Sequence, residues 1–316
     1  MKKVVVIGGG TGVFAVLSGL KEHDYDLAAI VTMADDGGST GVLREEFGVL
    51  PRGDVRRALV ALSNSDNKIV SELFNYRFEP NSSLKGHSLG NLLLTALEKI
   101  TGSFKEALKE AVTILNVNGE VIPVTFGHAK LHAELENGTV VEGETNIDIP
   151  KHDPRLKIKK IYLEPRVEAN EDALRAIAAA DFVILGPGDL YTSVLPNLLV
   201  EGIVPAIKKT SAKVIFITNI MTKYGETNNF HASDFVKVIE QYLGRGTLDY
   251  VVVNVEKMGG RVLQRYKQEN VDYVDFDQEN FNNHFKTITG KFLRKGEFLR
   301  HDQEKLARVL AKIIGK

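Results

Sequence analysis

Three glycine-rich loops hold the residues of this chain whose types and spacing suit ligand chemistry. Gly8-Gly9-Gly10-Thr11-Gly12 follows the apolar run Val4-Val5-Val6-Ile7, and Asp35-Asp36-Gly37-Gly38-Ser39-Thr40-Gly41 follows Ala28-Ala29-Ile30-Val31. The third, Gly186-Pro187-Gly188-Asp189-Leu190-Tyr191-Thr192-Ser193, follows Phe182-Val183-Ile184-Leu185. A glycine turn at a strand end lets backbone N–H groups approach a phosphate, and a helix starting there adds a positive partial charge. The implied chemistry is the holding of a phosphate-bearing, nucleotide-type ligand by Gly8, Gly9, Gly10, Thr11, Gly12, Gly186, Gly188, Asp189 and Tyr191. The strict dinucleotide fingerprint would need a glycine at position 13, which is Val13, and no Gly-Lys-Ser/Thr follows to make a P-loop.

Asp35 and Asp36 stand where a dinucleotide-binding fold places an acid for a ribose hydroxyl. With Ser39 and Thr40 nearby they could instead hold a hard divalent cation through oxygen ligands. In Pro51-Arg52-Gly53-Asp54-Val55-Arg56-Arg57 the arginine forks suit phosphate or carboxylate; the plainer reading is a helix cap at Asp54 with solvated arginines. Gly86-His87-Ser88-Leu89-Gly90-Asn91 opens an apolar helical face, with Asn91 as a ligand contact and Ser88 as a cap. No catalytic residue emerges: there is no Gly-x-Ser-x-Gly elbow, no helix-spaced histidine pair and no evident nucleophile–base pair. Zero cysteines exclude thiolate catalysis and cysteine-bound metals.

Strands and helices must position these loops. Hydrophobic periodicity predicts strands at residues 3–7, 26–32, 181–185, 213–217 and 248–253, and helices at 11–22, 54–62, 89–100, 104–115, 233–243 and 303–314. This alternation predicts an α/β, Rossmann-like fold with a mostly parallel, doubly wound sheet. In the middle, residues 130–144 alternate around Asn137-Gly138, which predicts a β-hairpin with a type I′ turn, and 159–163 adds a strand. His132 and Glu134 alternate with Leu131, Ala133 and Leu135, placing both on the hairpin's wet face. The expectation is one domain over residues 1–316, with an antiparallel insertion at about residues 121–165. The 40 basic and 41 acidic residues nearly cancel, so no global field argues for nucleic acid or a membrane surface. Without an apolar stretch of about 18 residues or a signal peptide, the chain reads as cytoplasmic and not inserted in a membrane.

Taken in order, Gly8-Gly9-Gly10-Thr11-Gly12, Ala34-Asp35-Asp36-Gly37-Gly38-Ser39, Gly53-Asp54-Val55-Arg56, Gly86-His87-Ser88-Leu89-Gly90-Asn91 and Gly186-Pro187-Gly188-Asp189 resemble the CofD-like family. Asn219-Ile220-Met221-Thr222, Gly225-Glu226-Thr227 and Leu299-Arg300-His301 resemble its gluconeogenesis-factor branch rather than the 2-phospho-L-lactate transferases. That branch implies a protein that binds a UDP-sugar, notably UDP-N-acetylglucosamine, and supports cell shape and envelope synthesis during gluconeogenic growth. Arg300 becomes a late ligand contact in this reading. The transferase branch implies instead a metal-dependent transfer from a nucleotide-activated donor, with Asp35, Asp36 and Asp54 at positions that resemble its acidic metal region and Asp35 and Asp54 as the candidate metal ligands. An NAD-binding oxidoreductase is a third alternative. Expected partners are a nucleotide-type small molecule, cell-envelope proteins and further copies of the chain in a homo-oligomer.

Overall fold

The computed structural model describes residues 1–64, 68–79, 81–281, 284–294, 296 and 298–315. Its first part runs β1 (Lys2–Gly8), α1 (Gly10–Leu20), β2 (Tyr25–Val31), α2 (Gly38–Phe47), α3 (Gly53–Leu62), α4 (Lys68–Asn75), α5 (Leu89–Thr101), α6 (Phe104–Ile114) and β3 (Glu120–Pro123). The middle holds β4 (Lys130–Leu135), β5 (Val140–Glu142), α7 (Glu144–Asp148) and β6 (Ile158–Glu164). From there the chain continues through α8 (Glu171–Ala179), β7 (Phe182–Leu185), α9 (Leu195–Leu198), α10 (Ile203–Lys209) and β8 (Lys213–Ile217). It ends with α11 (Ala232–Leu243), β9 (Tyr250–Asn254), α12 (Arg261–Gln268), β10 (Lys286–Gly290) and α13 (Gln303–Ile314).

Seven strands form a central sheet in the order β10-β9-β8-β7-β1-β2-β3, and every pairing in it is parallel. The runs Val4–Ile7, Val183–Leu185, Ile215–Ile217 and Val251–Val253 are almost wholly buried, as strands covered by helices on both faces must be. From β1 the chain winds outward through β2 to β3, whereas β7 lies on the other side of β1 and leads to β8, β9 and β10. The winding therefore reverses between β1 and β7. Loops leaving the carboxyl ends of two such strands diverge, which opens a crevice. Packing sets one wall of it: α1 lies between α3 and α13.

The second sheet, β5-β4-β6, is antiparallel. It begins at Lys130; Glu120–Pro123, part of the stretch read as insertion, joins the main sheet as its edge strand. The hairpin forms where expected, but its turn differs. Gly138 N–H donates to Leu135 O at 2.9 Å, and Leu135 N–H to Thr139 O at 2.8 Å. Gly138 has φ +85°, while Asn137 is not among the residues with positive φ. The turn is thus type I followed by a left-handed glycine bulge, not type I′, which needs positive φ at both central residues. His132 is also not on a wet face: β4 is the middle strand, and Tyr162 from β6 stacks on its ring at 5.1 Å between centroids.

Candidate functional site

The β1 and β7 loops meet at the point where the winding reverses. A β-carbon on Gly12 would run into the Pro187 carbonyl, so only glycine lets the start of α1 lie directly on the β7 loop. Gly9 is pressed just as closely against the Asp54 carboxylate. Asp54, at the start of α3 and 8% exposed, accepts the Gly10 N–H at 2.9 Å and a hydrogen bond from Arg57 at 3.1 Å. The carboxylate therefore fixes the first turn of α1 from behind, and Arg57 stands beside it.

A crevice of about 430 Å³ opens in front of this arrangement. Gly10, Thr11, Gly12, Phe14 and Ala15 of the first loop and α1 line it, together with Pro187, Gly188, Asp189 and Ser193 of the adjoining β7 loop. Asn219 to Thr222, following β8, and Arg56, Arg57, Arg294, Arg300 and His301 complete the lining. Its size suits a nucleotide, and a helix start with arginines beside it suits an anion. A larger cavity, about 690 Å³, lies between α6 and α8 over the first residues of β1 and β2 and along the edge strand β3. Its lining cations are already engaged, Lys105 and Arg175 with Asp172 and Lys109 with Glu106, and it includes no residue of the β1, β2 or β7 loops.

The residues singled out from sequence fall into three groups. Gly10, Thr11, Gly12, Gly188, Asp189 and Arg300 line the crevice. Gly8, Gly9, Gly186 and Tyr191 lie behind it, where Gly186 N–H donates to Ile7 O and Tyr191 N–H to Glu226 Oε2. Asp35, Asp36, Ser39 and Asn91 form a separate polar group around the β2 loop. Asn91 Nδ2 donates to Ser39 Oγ at 3.3 Å and to Thr40 Oγ1 at 3.5 Å, and Ser39 Oγ lies 3.0 Å from His87 Nδ1. Asp36 receives the N–H groups of Glu144 and Thr145 at 3.2 and 2.8 Å. Ser88 caps α5 through Asn91 N–H. Of the arginine run, Arg52 is buried and paired with Glu98, and Arg56 bonds Phe74 O and Asn75 Oδ1; Arg57 is the one that pairs with Asp54.

Between these groups lies an acidic cluster, in which Glu144, Asp148 and Glu226 join Asp35, Asp36, Asp54 and Asp189, already singled out. Burial and the neighbouring Asp54 push the Asp35 carboxyl above its ordinary range. Burial, with Asp35, Asp148, Asp36 and Asp54 around it, pushes Glu144 up to about 9. Carboxylate oxygens of Asp148, Asp189 and Glu226 lie within 4.8 Å of one another, the spacing of a cation site. Here the chain supplies its own cation, because Lys223 Nζ sits 2.7 Å from Asp148 and 3.8 Å from Asp189. Burial alone would lower Lys223, but Asp189 and Asp148 hold it above its ordinary range. Burial, then Asp189, raises Glu226 well above the usual carboxylate range. Among the described residues no second group of three carboxylates has that spacing; Asp35 and Asp54 are near enough for each to feel the other's charge.

Glu144 yields a signed expectation. A carboxyl raised to about 9 from 4.5 keeps its proton in the folded state, so its stability contribution is complete below pH 4.5 and is lost as pH rises toward 9. Glu144→Gln removes that loss. The variant is expected to match the parent at pH 4.5 and to exceed it by on the order of 1–3 kcal/mol at pH 8 in urea unfolding. Equal or lower stability at pH 8 would contradict the buried, protonated carboxyl.

The sequence pattern of the family described as 2-phospho-L-lactate transferase CofD matches residues 4–293. The gluconeogenesis factor of Bacillus subtilis (strain 168) is 42% identical over 319 residues, covering 99% of this chain and 98% of its own length. That of Halalkalibacterium halodurans is 43% identical over 312 residues, covering 98% of this chain and 95% of its own length. A crystal structure of a protein from Bacillus halodurans matches with a TM-score of 0.92 at 42% identity, covering 98% of this chain and 99% of that one.

Proposed function

The chain belongs to the CofD family, and on that premise we propose that it acts as a gluconeogenesis factor whose crevice binds a nucleotide-sugar such as UDP-N-acetylglucosamine. The observation that supports this reading most is the crevice at the β1–β7 reversal, bordered by the start of α1, Arg57 and Arg300. A diphosphate there would receive the N–H groups of the first turn of α1 and the arginine forks. Its sugar hydroxyls would turn toward Asp189 and the acidic cluster, where carboxylates accept hydrogen bonds. In this reading the protein works in the cytoplasm, with cell-envelope proteins as partners, and couples nucleotide-sugar supply to envelope synthesis and cell shape.

Calorimetry tests the proposal. UDP-N-acetylglucosamine should bind with micromolar affinity and more tightly than NAD, and Arg57→Gln should weaken it about tenfold or more. No heat of binding with any UDP-sugar at millimolar concentration would overturn the reading. A metal-dependent transfer from a nucleotide-activated donor is the second reading, favoured by the neighbouring carboxyls of Asp35 and Asp54, the first raised by burial and then by the second. Magnesium-dependent release of free nucleotide from such a donor, abolished in Asp35→Asn, would favour it over simple binding.

A further inference from the structure

Asp189, whose carboxylate lies near Lys223, lines the crevice from the β7 loop. Late in the chain Leu293 bridges to His301 and Arg294 N–H donates to Arg300 O at 2.9 Å. His301 lines the same crevice together with Phe14, Leu299 and Arg300. Only 8% of the residue is exposed. Among the described residues its Nε2 has no hydrogen-bond partner.

An orphaned buried ring nitrogen calls for a partner, because leaving a buried polar group unpaired costs free energy. Burial also lowers the ring to about 4, so at neutral pH it is an uncharged imidazole carrying one donor and one acceptor. Such a ring adds little to phosphate binding, for which charged arginines stand nearby. It matches instead the uncharged edge of a nucleobase, whose carbonyl and imino groups need fixed partners. The neighbouring Phe14 and Leu299 offer apolar surface for the base's faces.

We propose that His301 is the residue that reads the base of the bound nucleotide, through the hydrogen bond its imidazole lacks in the free protein, with the sugar toward Asp189. The assignment rests on the nucleotide-sugar reading above and adds to it a ligand orientation and a specificity residue. His301 positions the base; phosphate affinity belongs to α1 and the arginines.

Calorimetry with the full chain separates these roles, with inorganic pyrophosphate as the ligand without a base and the tighter-binding of UDP and GDP as the ligand with one. His301→Phe keeps the ring shape and removes the nitrogens. It should weaken the nucleoside diphosphate about tenfold or more while pyrophosphate stays within about twofold. His301→Gln, with a donor and an acceptor on one side chain, should recover most of the loss. An unchanged nucleotide affinity in His301→Phe, or an equal loss for both ligands, would overturn the assignment. Should that variant not fold, ring-nitrogen NMR of the parent decides. His301 signals should move with the nucleotide and not with pyrophosphate, and signals that ignore the nucleotide overturn the proposal. A parent protein that binds neither ligand sinks the nucleotide-sugar reading itself, whereas nucleotide binding that leaves His301 untouched sinks only this assignment.

Discussion

Gly12→Ala is expected to destabilise the protein by about 2–4 kcal/mol and to abolish ligand binding. Gly12 sits inside α1 and is not among the glycines with positive φ, so helix propensity alone would favour alanine by up to about 1 kcal/mol. What opposes the change is the Pro187 carbonyl, a backbone atom that cannot swing aside as a side chain would. Accommodating the methyl group means pushing α1 away from the β7 loop, and both elements line the crevice. Urea unfolding and calorimetry of the same variant test both halves. An alanine variant as stable as the parent, still binding ligand, would show that the two loops are less tightly apposed than described.

Asp54→Ala is expected to cost a similar amount, about 2–4 kcal/mol, by another route. The substitution strands the Gly10 N–H and frees Arg57, and it leaves a hole beside Gly9. Asp54→Asn, which keeps an acceptor oxygen but drops the ion pair, should lose roughly half as much. A second readout is independent of stability. Because Asp54 helps to push Asp35 upward, the Asp35 carboxyl should titrate lower in either variant, visible in carboxyl-carbon NMR. Loss of stability without that downward movement would place the two acids farther apart than the shared cluster implies.

How much of this was legible in the sequence depended on how locally each feature is determined. The buried strands β1, β2, β7 and β8 announce themselves as runs of valine, isoleucine and leucine, and α13 falls on residues 303–314 as its apolar spacing predicts. By contrast β10, Lys-Thr-Ile-Thr-Gly, is a half-exposed edge strand without an apolar run, and β3 is four residues ending in proline. Helix α2 hides behind Gly-Ser-Thr-Gly, poor helix formers that read as loop. Helix α12 is eight mostly charged or polar residues, and its short apolar face, Val262 and Tyr266, packs on the small cluster of Ile220, Leu293 and Leu299. The glycine loops were visible because their chemistry is contiguous. Glu144, Asp148 and Lys223 were not, and Glu226 and His301 stood out only as parts of short motifs without a role, since each lies on a segment that only the tertiary fold brings to the site. The Ser39–His87 contact was missed for the same reason: its partners are 48 positions apart.

The β1–β7 pairing matches Val4 with Phe182, so the central seam of the sheet is stitched between distant parts of the chain. Closing a loop of that length carries an entropic penalty that local helices and the β4–β5 hairpin never face. The β1 and β7 loops that line the crevice both hang from this seam. A nascent or partly unfolded chain can therefore hold its helices and its hairpin and still possess no ligand site at all. Ligand occupancy in such a molecule reports that the most distant contacts have been made, and binding favours the completed chain over every intermediate that lacks them.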